Sequence, residues 1–234
     1  MACIIHRPAE QGKRTYILWQ HIHIQLTVDW AWGSMIQLEQ TNEKIAKHHS
    51  IGKMALMGYK TCLEQFGSPY QIDKAIADGR LFKMVPGVYS DSGSESEIEV
   101  LQCRYPESVV TLGTAYYYYD LTDVVPETYD FLTARNARRI QDERIRQYYI
   151  PAELLKVGMV VRTFNGEHIR TYDLERLVIE TARMKCSLPP DLYKEVILAF
   201  RKRSDDIVPS KIVEYLDRFP KRDRIERIID EEVF

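Results

Sequence analysis

The chain has 234 residues, of which 45% are hydrophobic and 28% charged, a composition typical of a folded protein with one large or two modest domains. Its 32 basic and 34 acidic residues leave a formal charge of -2, so any surface that attracts nucleic acid must be local. No apolar run approaches the roughly 20 residues that a membrane helix needs. Residues 1–14 lack a charged region that leads into an apolar one, so we expect no secretory signal. We therefore expect a cytoplasmic protein without a membrane partner.

Residues 1–34 differ in composition from the rest of the chain, because they hold all three tryptophans and three of the six histidines. The first convincing helical pattern opens only at Met35, so residues 1–34 are predicted to be an atypical N-terminal extension. Either an appended strand pair or a start codon placed too early would explain it. His21 and His23 would share one face of a strand, as two metal ligands can, but no third ligand lies nearby. We expect exposed histidines and no metal.

Residues 35–91 show the pattern of three short helices followed by a β-hairpin, which is the arrangement of a winged helix-turn-helix domain. Met35–Lys47 carries apolar residues at helical spacing and forms the first predicted helix. Ser50 can cap a second helix, in which Met57 is one of the inward apolar residues.

The third helix and the hairpin that follows it have the clearest boundaries. Ser68 is a candidate N-cap, followed by proline at the first helical position, and Gly79 stands where a left-handed C-terminal cap belongs. Arg80–Met84 then alternates toward a Pro-Gly turn pair, and Val88–Ser90 returns as the second strand. A short helix backed by a two-stranded hairpin is therefore predicted.

Residues 92–99 are rich in serine and glutamate and are predicted to be a linker to a second domain, residues 100–234. A helix is predicted over Pro106–Tyr119. Strands are predicted over Thr128–Thr133, Ile145–Ile150, Val157–Phe164 and Glu167–Tyr172, the last two joined by an Asn-Gly turn. Four amphipathic helices follow from Asp173 onward. The predicted fold class is α+β: a winged helix-turn-helix domain, then a small antiparallel sheet with a C-terminal helical bundle.

The third helix is narrow enough to enter the DNA major groove, which is the usual role of this element in helix-turn-helix units. Its apolar stripe leaves Tyr70, Gln71 and Lys74 outward; Gln71 could pair with an adenine edge, and Lys74 suits a phosphate. The candidate DNA contacts are Ser68, Tyr70, Gln71, Lys74, Arg80 and Lys83. Such units also serve in protein interactions, and residue properties alone favour neither role.

Other clusters give weaker indications of function. The arginine-rich segment Arg135–Arg146 is either a second nucleic-acid contact or, as we favour, a solvated connection between strands. Four consecutive tyrosines, Tyr116–Tyr119, point in different directions on a helix and cannot form one stacking surface. The carboxylates form no recognisable catalytic set, and phosphate-binding, hydrolase and zinc motifs are missing from the sequence. We expect neither an enzyme nor a cofactor.

Several segments in a fixed order carry a resemblance to a known family. They are Ala77–Leu81, Val85–Tyr89, the Tyr105-Pro106 helix leading to Asp120–Asp123, and Tyr172–Leu177. Over about residues 35–234 this succession resembles the AbiEi-type antitoxins of type IV toxin–antitoxin systems, which are also described as transcriptional regulators. Two positions depart from the family's pattern: Pro86 stands where a basic residue commonly precedes the glycine, and Glu180 stands where aspartate is common.

The resemblance implies a winged-helix domain that represses its own operon by binding double-stranded operator DNA. It also implies a C-terminal domain that counteracts a nucleotidyltransferase toxin without forming a stable complex with it. Two alternatives stay open at this point: a DNA-binding regulator without a toxin partner, and an enzyme whose site lies in the second domain.

Overall fold

The computed structural model describes residues 56–234, which belong to one compact unit. The predicted extension with His21 and His23, the predicted helix Met35–Lys47 and its neighbour's cap Ser50 lie outside the described residues. From residue 56 onward the architecture is mixed α+β, with three small sheets and a series of helices. None of the helices in this range is long and apolar enough to cross a membrane.

The first part of the described chain combines two helices with a three-stranded antiparallel sheet. Its elements are β1 (Met57–Gly58), α1 (Tyr59–Phe66), α2 (Pro69–Ala77), β2 (Phe82–Val85) and β3 (Val88–Ser90). The strand order is β1-β3-β2, with Met57 opposite Tyr89 and Lys83 opposite Tyr89 on the other side. Strand β3 is therefore the central strand, and it connects the β2–β3 hairpin to the segment that precedes α1.

The prediction that a second helix runs from Ser50 and turns Met57 inward is wrong at its end. Met57 lies in strand β1, and the helix begins only at Tyr59. Gly58 is extended, with φ -70° and ψ 162°, and serves as the N-cap of α1. Met57 is buried as predicted, but by pairing with β3. The spacing of a few apolar residues cannot separate a two-residue strand from a helical turn.

The predicted third helix and hairpin are confirmed. The Ser68 hydroxyl accepts a hydrogen bond from the Gln71 backbone N–H at 3.3 Å, and proline occupies the first helical position of α2. Gly79 has φ +69°, a left-handed conformation that favours glycine. Gly87, in the turn between β2 and β3, has φ +85°. Six buried residues form the small core beneath these elements: Met57, Cys62, Ile72, Ala75, Leu81 and Tyr89.

The predicted linker 92–99 is wrong in its last three residues, which open helix α3 (Glu97–Arg104). Ser96 and Glu99 form a capping box: the Ser96 hydroxyl accepts from the Glu99 N–H, and the Glu99 carboxylate accepts from the Ser96 N–H. Serine and glutamate, which suggested a solvated connection, are here the residues that start a helix. The composition of this segment is typical of a loop, but the three-residue spacing of Ser96 and Glu99 is that of a helix capping box.

The next sheet contains β4 (Val109–Val110), β5 (Tyr129–Ala134) and β6 (Ile145–Ile150), in the order β4-β5-β6. The helix predicted from Pro106 begins only at Leu112, as α4 (Leu112–Tyr118), because the two β-branched residues before it pair with β5. The sheet is mixed rather than antiparallel, since β5 and β6 run parallel. Residues 135–144 carry the chain back to the start of β6, a reversal that strand spacing alone does not reveal.

The predicted Asn-Gly hairpin is confirmed as β7 (Met159–Phe164) and β8 (Glu167–Tyr172). Asn165 and Gly166 have φ +50° and +92°, the values required at both positions of a type I′ turn. A short helix, α5 (Ala152–Leu155), which the sequence pattern did not predict, lies between β6 and β7.

The predicted helical C-terminal part is also confirmed. It consists of α6 (Leu174–Met184), α7 (Pro190–Lys202), a 3-10 turn (Ser204–Asp206), α8 (Pro209–Leu216) and α9 (Arg222–Glu232). Asp173 caps α6, accepting from the Arg176 N–H at 2.9 Å. The first nine residues of α6 are all buried, so this helix lies at the centre of the large core that the C-terminal elements share with both remaining sheets.

Candidate nucleic-acid interface

The orientation of α2 is fixed by the turn that joins it to α1. Gly67 has φ +80°, and its N–H donates to the Leu63 carbonyl oxygen at 2.8 Å, which ends α1 in a left-handed cap. Only one further residue, Ser68, precedes the first turn of α2. Ile72 and Ala75 are buried against the small core, so the opposite face of α2 is turned outward.

Four of the six predicted DNA contacts lie on α2 or at its cap: Ser68 is the cap, Tyr70 and Gln71 lie in the first turn, and Lys74 lies in the last turn. Tyr70 is 73% exposed, and Gln71 and Lys74 are also exposed. Ser68 is half-buried, because its hydroxyl oxygen accepts from the Gln71 backbone. Arg80 and Lys83 are exposed as well but lie apart from this group, beyond the C-terminal end of α2 and on β2. The structure therefore brings together four of the six.

Arg80 is not a free cation, since its guanidinium Nη2 lies 3.0 Å from the Asp78 carboxylate. Both side chains are exposed, at 58% and 44%, so solvent screens the pair and a phosphate could compete for the arginine. Lys74 and Lys83 form no ion pair with any residue from 56 onward. Sequence reasoning counted charges in this segment but missed that Asp78, two residues before Arg80, would hold it.

The hairpin behind α2 is short, and its tip is fixed to the start of α1. The Tyr59 N–H donates to the Gly87 carbonyl oxygen at 2.9 Å. Lys83 is the only cationic residue between Phe82 and Ser90. Pro86, in the place where the resembled family commonly has a basic residue, is exposed and adds no charge. The hairpin thus supplies one lysine to the surface that α2 presents.

Two titratable groups of this region have clearly shifted pKa values. Burial raises the pKa of the Cys62 thiol, and burial, aided by nearby Cys62, raises that of the Tyr89 hydroxyl. Both groups are consequently neutral near pH 7 and serve as core residues. The outer face of α2 carries a tyrosine ring, an amide, one ammonium group and the Asp73 carboxylate. The first three groups can donate hydrogen bonds to nucleic acid.

The arginine-rich segment between β5 and β6 has a partly structural role. Arg144 donates to Asp142 and to Glu97, each at 2.8 Å, and these hydrogen bonds raise its pKa. This arginine therefore connects the segment between β5 and β6 to the first residue of α3. Arg138 and Arg139 are exposed and form no ion pair with the residues that the structure describes.

No cluster of three histidine, cysteine, aspartate or glutamate side chains suited to a metal ion occurs among residues 56–234. Three of the cavities in the described range are lined entirely by residues of the C-terminal elements. Residues of α2 line none of these three cavities, and the outer face of the helix is exposed.

Comparisons with known proteins provide a fold relationship. No protein-family model matches the chain, and no curated protein matches it either. Among solved structures, the chain is similar to the one described as "Crystal structure of RV2827C protein from Mycobacterium tuberculosis", with a TM-score of 0.51 and 12% sequence identity. The match covers 81% of this chain and 76% of that chain. At this level of identity the similarity shows a common fold alone.

Proposed function

We propose that the chain binds operator DNA through a winged helix-turn-helix unit whose recognition helix is α2, and that it acts as an autoregulating antitoxin. The single observation that carries the DNA-binding part is the exposed polar face of α2, held between a tight turn and an antiparallel hairpin. The element order β1-α1-α2-β2-β3 with strand order β1-β3-β2 supports the same assignment.

The dimensions of α2 suit the major groove. Its nine residues make about two and a half turns, and a helix with its side chains is about 10–12 Å across, close to the width of about 12 Å of the major groove of B-DNA. Tyr70 and Gln71 lie in its first turn, the part that contacts base edges in helix-turn-helix complexes, and Lys74 lies one turn further along. The positive end of the helix dipole would also face the phosphates.

The surface charge predicts a complex of modest electrostatic strength. Lys60, Lys74 and Lys83 are exposed in this region, but Asp73 is exposed beside Lys74, and Arg80 is engaged by an aspartate. Few phosphates can therefore be neutralised by one copy. Because each neutralised phosphate adds about 0.9 to the slope of log affinity against log salt, we expect a shallow salt dependence per chain.

The antitoxin part of the proposal depends on the resemblance of sequence segments. The structure gives those segments structural roles: Tyr172 and Arg176 are buried and Asp173 caps α6. The agreement of these segments with the family pattern therefore supports the proposal that the C-terminal elements share the fold of that family. The partner that the resemblance implies is a nucleotidyltransferase toxin, counteracted without a stable complex.

The DNA-binding proposal is tested by titrating the full chain against the DNA upstream of its own gene and against an unrelated duplex of equal length. Gln71→Ala should weaken operator binding by about 1 to 3 kcal/mol and leave the unrelated duplex unaffected. Lys74→Ala should weaken both complexes and lower the salt slope by about 1. Lys194→Ala, an exposed lysine of α7, is the matched control. Unchanged binding by both α2 variants would contradict the assignment of the recognition helix.

The antitoxin proposal needs a separate test. Expression of the nucleotidyltransferase encoded by the neighbouring reading frame should arrest growth, and co-expression of this chain should restore it. The Gln71→Ala chain should restore growth equally, because neutralisation is assigned to the C-terminal elements. A chain that binds its operator but never rescues growth would be a regulator without a toxin partner. Rescue without operator binding would instead remove the winged-helix assignment.

A further inference from the structure

A cavity of about 500 Å³ lies in the C-terminal elements, between the end of β6, α6 and the start of α9. Six apolar side chains form its floor: Ile150, Leu154, Ala182, Phe219, Ile225 and Ile228. Five cationic side chains surround it: Arg135, Arg183, Lys185, Lys221 and Arg224. Its volume is in the range of sites for small organic ligands.

The charges around this cavity are unbalanced. No aspartate or glutamate of residues 56–234 lines it. Arg183 donates from Nε to the buried Glu180 at 3.0 Å, and Lys185 pairs with Glu232 at the surface. The other three cations, Arg135, Lys221 and Arg224, are exposed and have no ion-pair partner in the described range. Three unpaired positive charges on an apolar basin favour a ligand that carries more than one negative charge.

The backbone at the start of α9 adds to this potential. Lys221 is the N-cap of α9, and no side chain caps the free N–H groups of the first turn. Lys221 has φ +62°, a left-handed conformation that is uncommon for a residue with a side chain. It lies between Pro220 and Arg224 of the cavity wall, so the positive end of this 11-residue helix stands beside the unpaired cations.

We infer that this cavity binds an organic phosphate of the size of a mononucleotide. The phosphate group would lie beside Lys221 and Arg224, the two unpaired cations at the start of α9, because a guanidinium group matches phosphate oxygens in paired hydrogen bonds. The apolar body would cover the aliphatic floor beside Tyr149, whose ring is 41% exposed. A simple inorganic anion would leave that floor in water, so affinity should need both parts of the ligand.

This site is independent of the proposed DNA contacts, since none of its lining residues lies on α1, α2 or the hairpin. Phosphates of a nucleic-acid strand share the same chemistry as a nucleotide. A strand, however, would need a continuous basic track, whereas the cations here surround one open depression. The test below therefore includes an oligonucleotide.

The experiment is calorimetric titration of the full chain with the four ribonucleoside 5′-monophosphates, adenosine, inorganic phosphate and a four-residue oligonucleotide. At least one mononucleotide should bind with a Kd below about 1 mM, and inorganic phosphate should bind at least about tenfold more weakly. Adenosine, which lacks the phosphate, should give no measurable heat. Binding by the oligonucleotide alone would overturn the inference, and so would inorganic phosphate equalling the best nucleotide.

Arg224→Gln and Lys221→Gln should each weaken nucleotide binding about tenfold or more, whereas Arg227→Gln should leave it unchanged. Arg227 lies on the same helix and is exposed, but it does not line the cavity. All three substitutions are at exposed positions, so equal melting temperatures will show that the folds are intact. Equal affinity of the Arg224 and Arg227 variants would overturn the assigned site.

Discussion

The interior of residues 57–90 and the interior of residues 97–234 are built with different chemistry. The small core beneath α2 contains aliphatic side chains, one thiol and one tyrosine. The large core also encloses five residues with acidic or basic side chains: Asp130, Asp173, Glu175, Arg176 and Glu180. Apolar packing and backbone turns position the helix proposed to read DNA, whereas in the C-terminal elements ion pairs and buried hydrogen bonds add to a larger apolar core. Charge substitutions and pH should therefore act on the second region far more than on the first.

Arg176 is the clearest case of this difference. It is fully buried, with its guanidinium carbon 4.7 Å from the Tyr172 ring centre and 4.4 Å from that of Phe219. Glu180 lies 2.7 Å from it and is also fully buried. The pair has the distance of an ion pair but not the angle of a hydrogen bond, so the two aromatic faces and Coulomb attraction stabilise this arginine.

The largest expected effect comes from removing the charge of Glu180. Glu180→Gln leaves Arg176 buried without its counter-charge, which should lower the free energy of unfolding by about 3 to 5 kcal/mol in urea titrations. Glu231→Gln, at an exposed position of α9, should change it by less than about 0.5 kcal/mol. A loss below about 1 kcal/mol for the Glu180 variant would show that the buried charges do not control the stability of this region.

A second expected effect concerns pH and Asp130. One of its carboxylate oxygens accepts from the Gly113 N–H at 2.9 Å, and the other is buried without a partner. Burial raises its pKa from 3.8 to about 6, although Arg146 and the hydrogen bonds oppose the shift. Between these values only the folded chain retains the proton, so stability should fall as pH rises from about 4 to 6, by at most about 3 kcal/mol.

Asp130→Asn removes this titration. The difference in unfolding free energy between the two proteins, measured from pH 4 to 7, isolates the contribution of Asp130 from those of other carboxyls such as Glu232, whose pKa is lowered. The wild-type protein should lose stability relative to the variant as pH rises across the window. Parallel pH profiles would contradict the assignment of a buried proton to this carboxyl.

The smallest effect is expected in the first region, at the cap of α2. Ser68→Ala removes the acceptor for the Gln71 N–H and should cost about 1 kcal/mol, because the cap is partly solvated. Ser68→Asp, which retains a hydrogen-bond acceptor at the N-cap, should keep the stability of the wild-type protein. Hydrogen exchange of the α2 amides measures both changes locally. A loss of several kcal/mol would mean that this region depends on polar contacts as strongly as the other does.

The sequence predicted elements well where local chemistry marks both ends. Ser68 and Gly79 bound α2, and Asn165-Gly166 fixes the β7–β8 hairpin, so both appear where expected. The two-residue strands β1 and β4 were missed, since each exists only through pairing with a distant strand. The parallel direction of β6 was also missed, since it is defined only by the pairing of β6 with β5.

The candidate sites show a similar division. The exposure of Tyr70 and Lys74 follows from helical periodicity, which the sequence contains. The Arg80–Asp78 pair depends on the path of the chain after α2 ends, and it escaped prediction. The cationic cavity assembles Arg135 and Arg224 from segments almost 90 residues apart, so no local pattern announces it.

Helix α3 determines where the protein can be divided. It contacts β1 and β3 on one side and β8 on another, where the Gln102 side chain exchanges two hydrogen bonds with the Arg170 backbone. Its residues Ile98 and Leu101 are almost completely buried. Dividing the chain within residues 92–99 would remove this shared helix from one fragment and expose its apolar side in the other. Fragments meant to isolate either activity should therefore begin or end elsewhere.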